Sequence, residues 1–151
     1  FCSIILVLAF TVSSSLAVPD KEVDNILSSA ETLFKMMKEK NYVRIWFFLS
    51  HASRTAIIDD TFKNIMSKDQ IKKNFETGGT IAQTYWNSYL DAFDPDMVLE
   101  KSRWELGKLS KDKALINIIY RKAEKPAIIQ MYKEEGSWKV DLAETFKSAK
   151  R

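Results

Sequence analysis

Ala127-Ile-Ile-Gln-Met-Tyr-Lys-Glu-Glu-Gly-Ser-Trp-Lys-Val-Asp-Leu142 carries two strand-like runs on either side of Glu134-Glu135-Gly136. Trp138, Val140 and Leu142 alternate with Ser137, Lys139 and Asp141, the period-2 pattern of a half-buried strand. Gly136 supplies the positive φ that a hairpin loop needs. A three-residue loop with Gly136 as a bulge sets Tyr132 beside Trp138 and Ile128 beside Leu142. Ile129 and Met131 then share the opposite face with Lys139 and Asp141.

Period-2 patterning extends upstream to Met97, giving four strands at about 97–107, 113–122, 126–133 and 137–143. Closing the first pair across Lys108–Asp112 sets Trp104 opposite Ile116 and Leu106 opposite Ala114. Lys101, Arg103 and Glu105 then share the other face with Leu115, Asn117 and Ile119. The sheet is therefore strongly apolar on one side and mixed on the other.

Before Met97 the period is helical. Asp20 is placed to cap a first helix whose apolar stripe is Val23, Ile26, Leu27, Ala30, Leu33, Phe34 and Met37. The pair Met36-Met37 reads as packing, since the chain lacks the soft ligands that usually accompany thioethers at a metal. Tyr42–Leu49 is read as a short helix, followed by one capped by Ser50 and running through Arg54, Ile58, Phe62 and Ile65, with Asp59-Asp60 a place where it can break. Ser67–Gln70 and Thr80–Gln83 both have the form of a capping box. The helix after Thr80 carries Tyr85, Trp86 and Tyr89 and ends at Asp94-Pro95. Helices first and antiparallel strands last predict an α+β fold, with N-terminal helices packed on a curved C-terminal sheet.

The length fits one domain over 18–151, and an apolar fraction of 46% is enough for a core. Against 23 basic residues stand 20 acidic ones, mixed along the chain, so no basic stripe points to a nucleic-acid partner. The slight basic excess is compatible with an anionic membrane surface without pointing to one. Residues 1–17 read as an export signal: Ile4–Phe10 is an uncharged apolar run, and Ser15 and Ala17 are the small residues that a signal peptidase accepts, placing cleavage before Val18. That run is shorter than the roughly 20 residues of a spanning helix, so no stable membrane span is expected after cleavage. Cys2 precedes the apolar run, where a lipid-attachment cysteine would follow it, and no cysteine lies beyond Val18. The expected location is the periplasm or the exterior.

The amphipathic first helix, the Asn41-Tyr42 step into a Trp-containing segment ending Leu49-Ser50, the aromatic helix and a meander closing on Gly136-Ser-Trp-Lys-Val-Asp-Leu142 together form a recognisable order. Over roughly residues 22–146 it resembles the nuclear transport factor 2-like (cystatin-like α+β cone) superfamily, and within it the small exported bacterial members of unknown function. The resemblance implies a sheet curved round the helices as a cone, often with a pocket at its mouth, and dimerisation through the outer sheet face. It also implies relatives that are isomerases, dehydratases and cyclases, with Asp, His and Tyr in the cone. None of their motifs aligns with this chain, where Glu100, Arg103, Glu105 and Asn117 stand at the strand positions open to an acidic base, so no catalytic residue is carried over.

Several residue groups invite a chemical reading. His51, the single histidine, lies between Ser50 and Ser53, but a Ser-His-acid triad is built from distant residues, not from neighbours in one turn. One histidine, with no cysteine beyond Val18, makes a transition-metal site an unfavourable reading. Asp59-Asp60 and the group Asp91, Asp94 and Asp96 are explained by helix ends and turns, and no calcium loop is present. Tyr42, Trp46, Tyr85, Trp86, Tyr89, Trp104 and Tyr120 can serve as core or line a cavity for an apolar or aromatic molecule between the aromatic helix and the sheet. Leu115, Ile119, Ile129 and Met131, ringed by Arg103, Asn117 and Lys139, mark the mixed sheet face as a dimer surface. The leading expectation is a binding or interaction module without a cofactor. Its rivals are an isomerase- or hydratase-like enzyme using a carboxylate or His51 in the same cavity, and an accessory subunit with no ligand.

Overall fold

The computed structural model describes residues 19–64 and 66–143. The export signal with its cleavage point before Val18, Cys2, Ile65 and the tail 144–151 lie outside the described residues. Among the described residues six helices precede four strands: α1 (Asp20–Lys38), α2 (Tyr42–Phe48), α3 (His51–Thr61), α4 (Lys68–Thr77), α5 (Thr80–Ala92), α6 (Pro95–Glu100), β1 (Ser102–Leu109), β2 (Lys113–Tyr120), β3 (Ala127–Glu134) and β4 (Ser137–Asp141). The strands form one curved antiparallel meander in the order β1-β2-β3-β4, with the helices packed against it, which is the α+β architecture expected.

Local chemistry accounts for most boundaries. Ser50 caps α3 by accepting from the Ser53 N–H, and Ser67 and Gln70 form a full capping box on α4. Gly78, at φ 67°, closes α4 in the left-handed conformation. Four expectations are corrected. Pro19, not Asp20, stands at the α1 N-cap and makes no side-chain cap. Asp59 and Asp60 lie inside the last turn of α3 and do not break it. Thr80 is already helical, and its capping box is replaced by Asn74, whose Oδ1 accepts from the Ala82 N–H at 3.1 Å. Asp94-Pro95 not only follows one helix but starts another, since Asp94 accepts from the Asp96 N–H at 2.9 Å and proline fits the first helical position. The segment 97–101 is therefore not strand.

Two registers also differ from expectation. A bulge between Leu106 and Leu109 pairs Trp104 with Ile118 and Leu106 with Ile116, two residues along from the expected partners. In the last hairpin Glu134 pairs with Ser137 across a two-residue loop, Glu135 and Gly136, both left-handed at φ 51° and 78°. That loop twists as antiparallel strands do. Lys139, not Trp138, faces Tyr132, and Met131 faces Val140. A shift of one residue turns a whole strand over. Ile129 and Met131 accordingly lie in the core, at 4% and 0% exposure, instead of on the outer sheet face.

Leu33, Phe34, Met37, Ile116, Ile118, Met131 and Val140 belong to the single buried cluster between α1 and the sheet. Trp46, Phe75 and Trp86 fill the space where α2, α4 and α5 meet, with Trp46 stacked on Phe75 at 4.8 Å. Leu49 adds a parallel bridge to Val140, so the edge of β4 is covered at that point by the α2–α3 junction.

Candidate functional site

Most of the aromatic residues pack against one another. They form a line of ring contacts from Trp104 through Phe34, Phe93, Tyr89, Trp86, Tyr85 and Phe75 to Trp46, each step between 4.8 and 5.9 Å. Trp46 and Trp86 are fully buried core residues, and their indole N–H groups have no partner among the described residues. Tyr42 donates its hydroxyl to Asn87 Oδ1 at 2.9 Å, and the Trp104 indole donates to the Val98 carbonyl at 3.0 Å. Tyr120 lies at the far end of β2, in a different depression.

Tyr85 and Tyr89, one helical turn apart on α5, open onto a shared groove. It runs between α3, α4 and α5 in two parts. The larger, about 420 Å³, is lined by Ile71, Ile81, Met66, Thr84, Asp60 and Tyr85 among others. The smaller, about 210 Å³, reaches Ser53, Ile57, Tyr89 and Leu142 and shares Asp60 and Tyr85 with the first. Helical spacing explains the sorting: residues four apart share a face, while Trp86, one position on from Tyr85, turns into the core.

The groove mixes apolar side chains, Ile57, Met66, Ile71, Ile81 and Leu142, with Asp60, Lys63 and the hydroxyls of Ser53, Thr61, Thr80 and Thr84. Burial, then the negative charge of Asp60, raises the Tyr85 phenol above its ordinary value of 10.0; burial, then Tyr85, raises that of Tyr89. Both are therefore hydrogen-bond donors throughout the physiological range. Asp59 is engaged by Lys68, whereas Asp60 has no ion pair among the described residues. Ile71, Ile81, Met66 and Ile57 offer apolar contact, while Asp60, Lys63, the threonine hydroxyls and two phenols offer polar contact, a mixture that suits an apolar molecule carrying a polar tip.

Beneath the groove lies a network that residue order does not reveal. The hydroxyls of Ser50 and Ser53 donate to Asp141 Oδ2 and Oδ1 at 3.0 and 3.3 Å, and the Leu142 N–H donates to Ser53 Oγ at 2.8 Å. All three side chains are buried. His51 takes no part in it: the side chain is exposed, and the backbone N–H donates to both Glu134 oxygens at 3.0 and 3.1 Å. Two carboxylates thus face the positive end of α3. The serine-acid pairing secures a helix; no Ser-His-acid line is formed among these residues.

Glu105 and Arg103 pair with each other at 2.9 Å on exposed positions of β1, and Asn117 stands opposite Glu105 on β2. Glu100 is held by Lys38. None of these acids lines the groove. Among the described residues no three His, Cys, Asp or Glu side chains are grouped to hold a metal ion, and no helix is long and apolar enough to cross a membrane. No protein-family model matches this chain, and neither a curated protein nor a solved structure matches it.

Proposed function

We infer that the chain is an exported binding module that holds an apolar small molecule, with one hydrogen-bonding group, in the groove between α3, α4 and α5. The observation that carries this reading is a groove in which Tyr85 and Tyr89, both protonated, share a wall with Ile57, Ile71 and Ile81 beside Asp60. Export rests on the apolar run Ile4–Phe10 and on Ser15-Leu16-Ala17. The helices-first, meander-last order agrees with the nuclear transport factor 2-like resemblance. The site, however, sits on the helical side of the molecule and not between helix and sheet.

Titration with N-phenyl-1-naphthylamine, a neutral apolar fluorophore, tests the reading. Saturable binding is expected, weakened about tenfold or more by Ile81→Trp, whose indole fills the larger half of the groove. Absence of binding, or equal binding by that variant, would overturn it.

The outer sheet face supports a second, compatible reading as a homodimer surface. Leu115 and Ile119 remain there, half-buried and joined by Ile128 and Tyr132, after Ile129 and Met131 are removed to the core. Sedimentation equilibrium is expected to show a dimer that Leu115→Lys with Ile119→Lys converts to monomer. A monomeric parent chain would dismiss it.

A further inference from the structure

Where α6 leads into β1, beside the end of β2, lies a cleft of about 810 Å³ at the sheet edge opposite β4. Lys101, Arg103, Arg121 and Lys122 line it, with Glu100 as the only carboxylate among the lining residues. That acid is already engaged: Lys38 of α1 holds Glu100 at 2.8 Å and Asp96 at 2.6 Å. Arg103 reaches Glu105 at 2.9 Å through an exposed pair that solvent screens. Lys101, Arg121 and Lys122 make no ion pair among the described residues. The cleft therefore presents several cations, and the one carboxylate that lines it is already paired with Lys38.

Its centre is apolar. Met97 is 42% exposed, one of three large hydrophobic side chains left in water among the described residues, and Ile119 and Tyr120 lie beside it. Burial raises the Tyr120 phenol above its ordinary value, so that ring stays neutral. A small soluble anion has no use for the thioether of Met97. An anionic bilayer meets both halves of the pattern, with phosphates against the Lys and Arg heads and Met97 at the boundary between headgroup and acyl chain.

We propose that this cleft docks the protein on an anionic lipid surface, through Lys101, Arg121 and Lys122 as charge contacts and Met97 as a shallow apolar anchor. The surface shares no lining residue with the Tyr85–Tyr89 groove and stands independently of what that groove holds.

Vesicle co-sedimentation of the chain from Val18 tests it; that chain holds every core residue and omits the apolar run 1–17, which could bind lipid by itself. Binding is expected to phosphatidylcholine vesicles containing a quarter phosphatidylglycerol, and not to pure phosphatidylcholine. It should fall steeply as salt approaches about 1 M, where screening acts within about 3 Å. Each basic contact is expected to contribute about fivefold, so Lys101→Gln with Lys122→Gln should weaken partitioning by about twentyfold or more. Met97→Ser should weaken it while leaving the salt dependence unchanged. All three positions are exposed, so the far-UV spectrum should be unaltered. No binding by the parent chain, equal binding by the variants, or binding to a short single-stranded DNA but not to vesicles would each overturn the proposal.

Discussion

Ser50 and Asp141, 91 residues apart, are joined by a buried hydrogen bond of 3.0 Å that ties the start of α3 to the end of β4. Ser53 repeats the contact from the same helix, and the Ser50 N–H donates to the Val140 carbonyl at 2.9 Å. One wall of the groove is therefore hung from the sheet by a few polar contacts. Asp141→Ala removes the carboxylate that accepts from two buried hydroxyls, leaving Ser50 only Ser53 Oγ at 3.0 Å, and should cost about 3 kcal/mol. Asp141→Asn, which keeps one acceptor oxygen, should cost less. Urea unfolding of the two variants checks the order.

Glu22 links α1 to the last hairpin by accepting from Lys133 Nζ at 2.7 Å and Trp138 Nε1 at 3.0 Å. The Lys133 hydrogen bond first, then that of Trp138, holds its carboxyl below the ordinary 4.5. A carboxyl depressed by folding contributes stability above its unfolded value and loses it as pH falls through the folded one. The stability gap between the parent chain and Glu22→Gln should therefore be widest above pH 4.5 and close below it. Urea midpoints across that range measure the gap; one that is constant with pH would contradict the assignment.

The two sides of the sheet should respond differently to truncation. Met131→Ala removes a fully buried side chain and should cost about 2–5 kcal/mol. Ile119→Ala, on the half-buried outer face, should cost about 1 kcal/mol or less in the monomer. Equal losses would contradict the two-residue loop at Glu135-Gly136.

Asn74 is an N-cap supplied from another helix. Asn74→Ala should cost about 1 kcal/mol through loss of the Ala82 N–H acceptor. Gly79→Ala should do comparable damage by another route, because its Cβ would meet Asn74 Nδ2 at 2.5 Å and displace the cap. Thermal unfolding of both single variants and the double tests this. Effects that do not add are expected, since both act on one side chain.

Helix positions and the α+β order were legible because periodicity and capping are local. The Ser67–Gln70 box and the apolar stripe of α1 can be read from a few residues each. What failed depends on distant partners or on backbone angles that residue type hides. Glu135 adopts a left-handed φ usually left to glycine or asparagine, which shortened the loop and inverted β3. Asn74 took the cap that Thr80 was expected to provide, from eight residues upstream of Ala82. Of the seven aromatic residues singled out, side-chain type gave burial, but only the i,i+4 relation of Tyr85 and Tyr89 separates groove from core. The basic cleft is hidden in the sequence because the period-2 pattern extends back over Met97–Lys101, and its cations meet only once β1 pairs with β2.

The central claim is that a small apolar molecule binds on the helical side of the fold, against Tyr85 and Tyr89. Amide chemical-shift mapping during titration with N-phenyl-1-naphthylamine tests it most directly. Shifts centred on Asp60, Thr61, Thr80, Ile81, Thr84 and Tyr85 are expected. Shifts centred instead on Ile116, Met131 and Trp138, between α1 and the sheet, would contradict it.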